Sequence, residues 1–184
     1  GLAIIHQELA LSPYLPIYEN IFLGHMKTNF GIINWNYYIK ESQKYLQRVG
    51  LKENPATIVS KIGVGKQQLV EIARALSKKA EILILDEPTS SLNDEDSEKL
   101  LQLIIELKNH GITCIMISHK LNEILEIADR VSVLRDGKLI STYDVKNDNI
   151  HEAQLIKDMV GRDLTTRFPE RKTTPGEVVM EVKN

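Results

Sequence analysis

The stretch Ile82-Leu83-Ile84-Leu85-Asp86-Glu87-Pro88 limits the fold more than any other part of this chain. Four apolar residues bounded by polar ones read as a buried strand. Carboxylates at the carboxyl end of such a strand stand where open α/β sheets bind ligands. Asp86 there suits Mg²⁺, and Glu87 suits polarising a water. The plain alternative is an ordinary core strand followed by a turn. A second feature just upstream weighs against it. The turn Gly63-Val64-Gly65 opens a segment in which Leu69, Ile72, Ala73 and Leu76 recur at helical spacing. Free backbone N–H groups and the helix dipole at such a start favour an anion, and glycines let the backbone come close to it.

Composition removes several classes of function. A length of 184 residues allows one domain and a little more, and 42% hydrophobic residues allow a full core. A net charge of -2 gives no basic field for nucleic acid, and 5% aromatic residues weaken base stacking. The single cysteine, Cys114, lies in the apolar run Ile112 to Ile117, as a buried reduced thiol would, and rules out an internal disulfide. No apolar stretch approaches the roughly 18 residues that span a bilayer. A membrane role then comes through a partner. The opening at Gly1 without Met, directly into the strand Leu2 to Ile5, and the stop at Asn184 both look like cuts in a longer chain.

Other elements follow in order. Pro13 and Pro16 punctuate the region before a short helix from Tyr18 to Leu23, which ends near Gly24. Asn36 is the expected cap of a helix over Tyr37 to Val49, closed by Gly50. Residues 51–61 read as a polar connector. Asp94, Glu95, Asp96 and Glu98 open a helix with the stripe Leu100, Leu103, Ile104 and Leu107, and acidic residues there complement the dipole. The strand Ile112 to Ile117 precedes Ser118-His119-Lys120, and a helix follows from Leu121 to Ala128. Asp136-Gly137 is a hairpin turn between Arg130 to Arg135 and Lys138 to Tyr143. A last helix runs near 149–160, with Asn149 as its expected cap. The segment from Gly161 to Gly176, with its arginines, Pro169 and Pro175, reads as a linker, and Glu177 to Val182 alternates as a strand does.

The runs Ile62-Gly63-Val64-Gly65-Lys66, Ile82 to Glu87 and Asp86-Glu87-Pro88-Thr89-Ser90-Ser91-Leu92-Asn93 together resemble the ATP-binding subunit of an ABC transporter. They sit where that family has its signature turn, its Walker B strand and its D-loop. The resemblance implies an α/β fold of the P-loop NTPase type, with a mainly parallel sheet and a small helical subdomain over about 18–80. It implies ATP and Mg²⁺ as cofactors, with Asp86 and Gln7 at the metal. It makes Glu87 the residue that polarises the attacking water, and Gln7 and His119 the sensors of the γ-phosphate. Gly63, Val64, Gly65, Lys66, Ser91 and Asn93 are then the contacts to an ATP held by the opposite subunit. Two positions depart from the family. Gly63 replaces the usual serine, which removes a hydroxyl donor, and Asn93 stands where Asp is more usual.

The phosphate loop G-x-x-x-x-G-K-[ST] occurs nowhere in the sequence. The expected organisation is therefore an incomplete first ATPase domain over 1–161, a linker over 162–176, and the first strand of a second ATPase domain over 177–184. Such a piece alone is expected to neither bind ATP tightly nor hydrolyse it. The runs GVGKQQLVEIA, DEPTSSLNDEDS and ISHKLNEI are similar to those of xylose and multiple-monosaccharide importers. That likeness implies import of a monosaccharide, at the cytoplasmic face of a bacterial membrane. Its partners would be permease subunits, a second ATPase domain and, indirectly, an extracytoplasmic sugar-binding protein; nucleic acid is not expected. The resemblance makes Leu11 to Phe22 the docking face for a permease helix, and an ordinary loop packing on its own domain is the equal alternative. Alternative readings are a soluble ABC-class ATPase acting on ribosomes or DNA, and a non-catalytic regulatory module.

Overall fold

The computed structural model describes residues 1–161 and residue 180. The expected linker and the strand-like run at its end fall almost wholly outside them. The chain divides into two compact units, Gly1–Asp129 and Arg130–Asn184.

The first unit is built on three parallel strands, β1 (Leu2–Ile5), β2 (Ile82–Asp86) and β3 (Thr113–Ile117), in the order β1-β2-β3. Side chains alternate across a strand. Ala3, Ile5, Leu83, Leu85, Cys114 and Met116 therefore share one face, and they join the main hydrophobic core. Leu2, Ile4, Ile115 and Ile117 share the other face and are exposed. Cys114 is half-buried and free, and burial pushes its thiol upward.

Helices cover the core face. α1 (Ile17–Phe22), α2 (Trp35–Arg48) and α3 (Val64–Ser77) pack on one another, and α3 also packs on β1. Because α3 has neighbours on several sides, its buried set is wider than one stripe. Val70, Glu71 and Ala75 join Ile72, Ala73 and Leu76, while Leu69 stays half-buried. The cap of α2 is Asn34 rather than Asn36, since the side chain of Asn34 accepts a 3.1 Å bond from the Tyr37 amide. The helix thus starts two residues earlier than composition suggests. Ahead of it, Thr28–Asn29 and Ile32–Ile33 pair across a turn in which Phe30 and Gly31 have φ of 51° and 79°. The connector over 51–61 is not simply polar either: Leu51 and Val59 are buried, and Val59–Lys61 forms a 3₁₀ turn. α4 (Asp94–Asn109) and α5 (Leu121–Ile127) complete this unit.

In the second unit, β4 (Arg130–Arg135) and β5 (Lys138–Asp144) form an antiparallel hairpin. Asp136 and Gly137 take φ of 51° and 73°, the mirror-image turn that Asp-Gly favours. α6 (Glu152–Val160) begins after His151, so Asn149 is not its cap; Asn149 instead holds a left-handed φ of 45° in the preceding turn. Asp158 of α6 accepts bonds from Ser141 and from Tyr143 (2.7 Å), which hold its carboxyl below the usual carboxylate range.

Candidate functional site

Parallel register determines what meets at the carboxyl edge of the sheet. Ile5 pairs with Leu85, and Asp86 pairs with Ile117. The residues that follow each strand, Gln7, Glu87 and His119, therefore emerge at one edge. The Glu87 amide donates to the Ile117 carbonyl at 2.8 Å, which carries the ladder one step beyond β2. Glu87 itself has φ of 45°. That conformation is uncommon for a residue with a Cβ, and such strain clusters at functional sites. Pro88 contributes by disfavouring the right-handed helical region for the residue before it. The turn closes with the Ser90 amide (3.2 Å) and hydroxyl (2.9 Å) donating to the Glu87 carbonyl.

This geometry aims the Glu87 carboxylate at His119. The ring Nδ1 of His119 lies 3.0 Å from Glu87 Oε1, with Glu87 largely covered and His119 64% exposed. A neutral imidazole donating there leaves its second nitrogen free toward solvent. Asp86 is half-buried at the tip of β2. Among the described residues no cluster of three metal-ligating side chains forms. One carboxylate nevertheless fits Mg²⁺, which usually takes one or two carboxylates and completes its shell with water and substrate phosphates. Gln7 is exposed in a bend two residues beyond β1.

The glycine turn forms a separate group. Gly63 caps α3 with extended φ/ψ of -64° and 162° and no side-chain bond, so the first-turn amides lack intrahelical acceptors. Space around Gly63 is open: a Cβ there would meet nothing within 4 Å. Gly65 is crowded, since a Cβ would lie 2.7 Å from Asp96 Oδ2. Lys66 reaches back to Glu53 at 2.6 Å rather than toward the glycines. Ser91 is exposed. Asn93 caps α4, its Oδ1 accepting from the Asp96 amide at 2.8 Å. Asp96 thus touches both helix starts, α3 through Gly65 and α4 through Asn93.

Sequence reasoning missed Thr89, Lys120 and Glu123. Their polar groups join the loop after β2 to the start of α5. Thr89 stood inside a quoted motif, but its partner is 34 residues away, and no periodicity marks such a pair.

A parallel sheet covered by helices on one face, with carboxylates and a histidine at its carboxyl edge, defines an α/β protein whose candidate ligand site lies at that edge. Residues 1–90 match the family model described as ABC transporter. The L-arabinose transport ATP-binding protein AraG of Geobacillus stearothermophilus is 59% identical across 184 residues. The xylose import ATP-binding protein XylG of Thermoanaerobacter pseudethanolicus is 55% identical across the same length. Each match covers 100% of this chain and 36% of the relative, so the chain spans about a third of the proteins it matches. In fold it resembles a putative metal-chelate type ABC transporter in an inward-facing conformation, with TM-score 0.72, 21% identity and 87% and 64% of the two chains covered. It also resembles the dimeric ATP-binding cassette MJ0796 bound to ADP and Pi, with TM-score 0.66, 26% identity and 78% and 62% covered. The chain belongs to the ATP-binding domains of ABC transporters.

Proposed function

We propose that the intact protein hydrolyses ATP to drive import of a monosaccharide through a membrane permease. The observation that carries this is the Glu87–His119 pair, 3.0 Å apart at the tip of the Asp86 strand. Phosphoryl transfer to water needs little covalent chemistry from the protein, and catalysis rests on positioning and charge. ATP with Mg²⁺ supplies the anhydride and a cation that neutralises its charge. Asp86 offers a carboxylate to that cation. Glu87 orients and polarises the attacking water, and its bond to His119 limits the directions in which it can turn. His119 keeps one ring nitrogen free for a phosphate oxygen. Gln7 offers an amide with both donor and acceptor groups at the same edge.

The Gly63-Val64-Gly65-Lys66 turn stands apart from this edge in its contacts, as a surface that serves a second ATPase domain would. Gly63 leaves the phosphate grip to backbone amides. Asn93 adjoins that turn through Asp96, which also crowds Gly65, and Ser91 lies two residues ahead of Asn93 in the same loop. No described helix is long and apolar enough to cross a membrane. On this reading separate permease subunits supply the spanning helices, and the domain works peripherally at the cytoplasmic face of a bacterial membrane. The named sugars of the relatives, arabinose and xylose, make pentoses the first substrates to test. We further propose that residues 1–161 belong to one ATPase domain whose phosphate loop lies outside this sequence, and that 162–176 link it to a second domain beginning near 177.

The test is phosphate release by the intact protein reconstituted with its permease. Glu87→Gln should lower kcat by roughly 10²- to 10⁴-fold, the usual worth of a positioned general base. A polypeptide of these 184 residues alone should show no turnover. Unchanged turnover in Glu87→Gln would refute the reading.

A further inference from the structure

His119 is 64% exposed, so packing does little to aim its ring. Its direction depends on where the loop after β3 sits relative to the loop after β2. Among the described residues, the backbone joins those loops by one bond, from the Glu87 amide to the Ile117 carbonyl. Beyond it a polar bridge takes over. Thr89, only 1% exposed, donates its hydroxyl to Glu123 Oε2 at 2.6 Å. Lys120, the neighbour of His119, donates to the Thr89 carbonyl at 3.0 Å and lies 3.2 Å from Glu123 Oε1. Both carboxylate oxygens of Glu123 and both polar groups of Thr89 side chain and carbonyl are thereby used. The bridge starts two residues after Glu87 and ends one and four residues after His119.

We propose that Thr89, Lys120 and Glu123 are positioning residues that hold His119 and Glu87 at bonding distance. This rests on the ATPase reading above. Charge-assisted bonds of this kind are stronger than neutral ones, and partial burial shields them from water. Thr89 is the most telling of the three, because its hydroxyl can be removed without changing its shape. In Thr89→Val the carboxylate of Glu123 loses its covered donor, the start of α5 keeps only the Lys120 bond to the residue 89 carbonyl as its tie to the loop after β2, and the His119–Glu87 bond loosens. A displacement of about 1 Å in a catalytic group can cost on the order of 10²-fold in rate.

The experiment is steady-state ATP hydrolysis by the intact protein and its Thr89→Val, Thr89→Ser and His119→Ala variants. Thr89→Val should lower kcat about 10- to 100-fold with KM for ATP within about twofold. Thr89→Ser, which keeps the hydroxyl, should restore most of that loss. In the double variant Thr89→Val/His119→Ala, the first change should add little to the second, since both act through one bond. Fully additive losses would overturn the proposal, as would a kcat within about twofold of wild type in Thr89→Val. ¹⁵N shifts of the His119 ring give a readout independent of turnover. The signature of the bond to Glu87 should disappear in Thr89→Val and persist in Thr89→Ser; its persistence in Thr89→Val overturns the bridge. An intact protein without ATPase activity would instead sink only the reading on which the proposal rests.

Discussion

Glu71 shows how one side chain can answer to pH. It is buried on α3, and its Oε1 accepts from the Ala10 amide at 2.6 Å, while Arg74 donates to the Ala10 carbonyl at 2.8 Å. Burial pushes the Glu71 carboxyl upward, against the opposing pull of the Ala10 amide and Arg74. The native state therefore holds this proton more tightly than the unfolded chain does. Its contribution to stability is complete below the ordinary value of 4.5 and is lost as pH rises through the raised native value. Glu71→Gln has no charge to desolvate. Its stability relative to wild type should improve between about pH 4 and pH 7, measured by urea unfolding at both. A relative change in the other direction would show that the attraction to Arg74 outweighs burial. At this scale the sequence was informative where chemistry sits at a strand end. Asp86 and Glu87 could be placed at a carboxyl edge because an apolar run of strand length points there, whereas His119 was singled out only by the resemblance to ABC ATPases. Glu71 was not, because a glutamate inside a helical stripe looks like a solvated face. Only the fold shows that α3 is enclosed by α1, α2 and β1.

At the scale of elements, helix starts decide the geometry of the glycine turn and of the loop before α4. Asn93 accepts from the Asp96 amide and also donates to Asp96 Oδ2 at 3.3 Å, so its first task is to cap α4. Asn93→Ala should lower the stability of the fold by about 1 kcal/mol with no nucleotide present, as loss of a cap does. Chemical denaturation reads this directly, and Asn93→Ser should recover most of it. A loss confined to nucleotide-bound protein would assign Asn93 to ligand alone. The two glycines should respond in opposite ways. Gly63→Ser has open space and supplies a missing cap, so it should be neutral or stabilising by a few tenths of a kcal/mol. Gly65→Ala gains up to about 1 kcal/mol of helix propensity but must displace the Asp96 carboxylate from the position where it meets both helix starts. It should therefore weaken the α3–α4 contact and lower Tm, and a higher Tm would show that Asp96 swings away freely. The caps of α2 and α6 show the limit of this kind of reading. Several polar residues near a helix start compete for the role. At α2 the local hydrogen bond chose Asn34 over Asn36.

For the whole molecule, the sheet poses the main energetic problem. Parallel sheets are normally covered on both faces. Here helices cover the face with Leu83 and Leu85, while Leu2, Ile4, Ile115 and Ile117 on the other face remain 60%, 49%, 49% and 52% exposed. These four residues lie on the two strands that flank β2, and the register sets Ile82 and Ile84 of β2 between them on the same face, so the side chains form one apolar patch rather than scattered points. Contiguous apolar patches mark surfaces that something else covers. The relatives extend well beyond the region matched here, which supports assigning that cover to another part of the intact protein. Two consequences follow from the sign of the burial term. Burial stabilises by about 25 cal/mol per Å² of apolar surface, so a covered patch adds stability and a bare one drives association. A polypeptide of these 184 residues should self-associate and bind a hydrophobic dye, and the pair Ile4→Thr and Ile117→Thr should reduce both. On the proposed reading, in which a further part of a longer protein covers this face, the same pair placed in that longer protein should lower Tm, because the methyl groups would fill the interface. Sedimentation velocity on the short chain and calorimetry on the intact protein measure the two arms. If the substitutions left association of the short chain unchanged and the Tm of the intact protein unmoved, this face of the sheet would be a solvated surface. The cover would then have to be sought elsewhere.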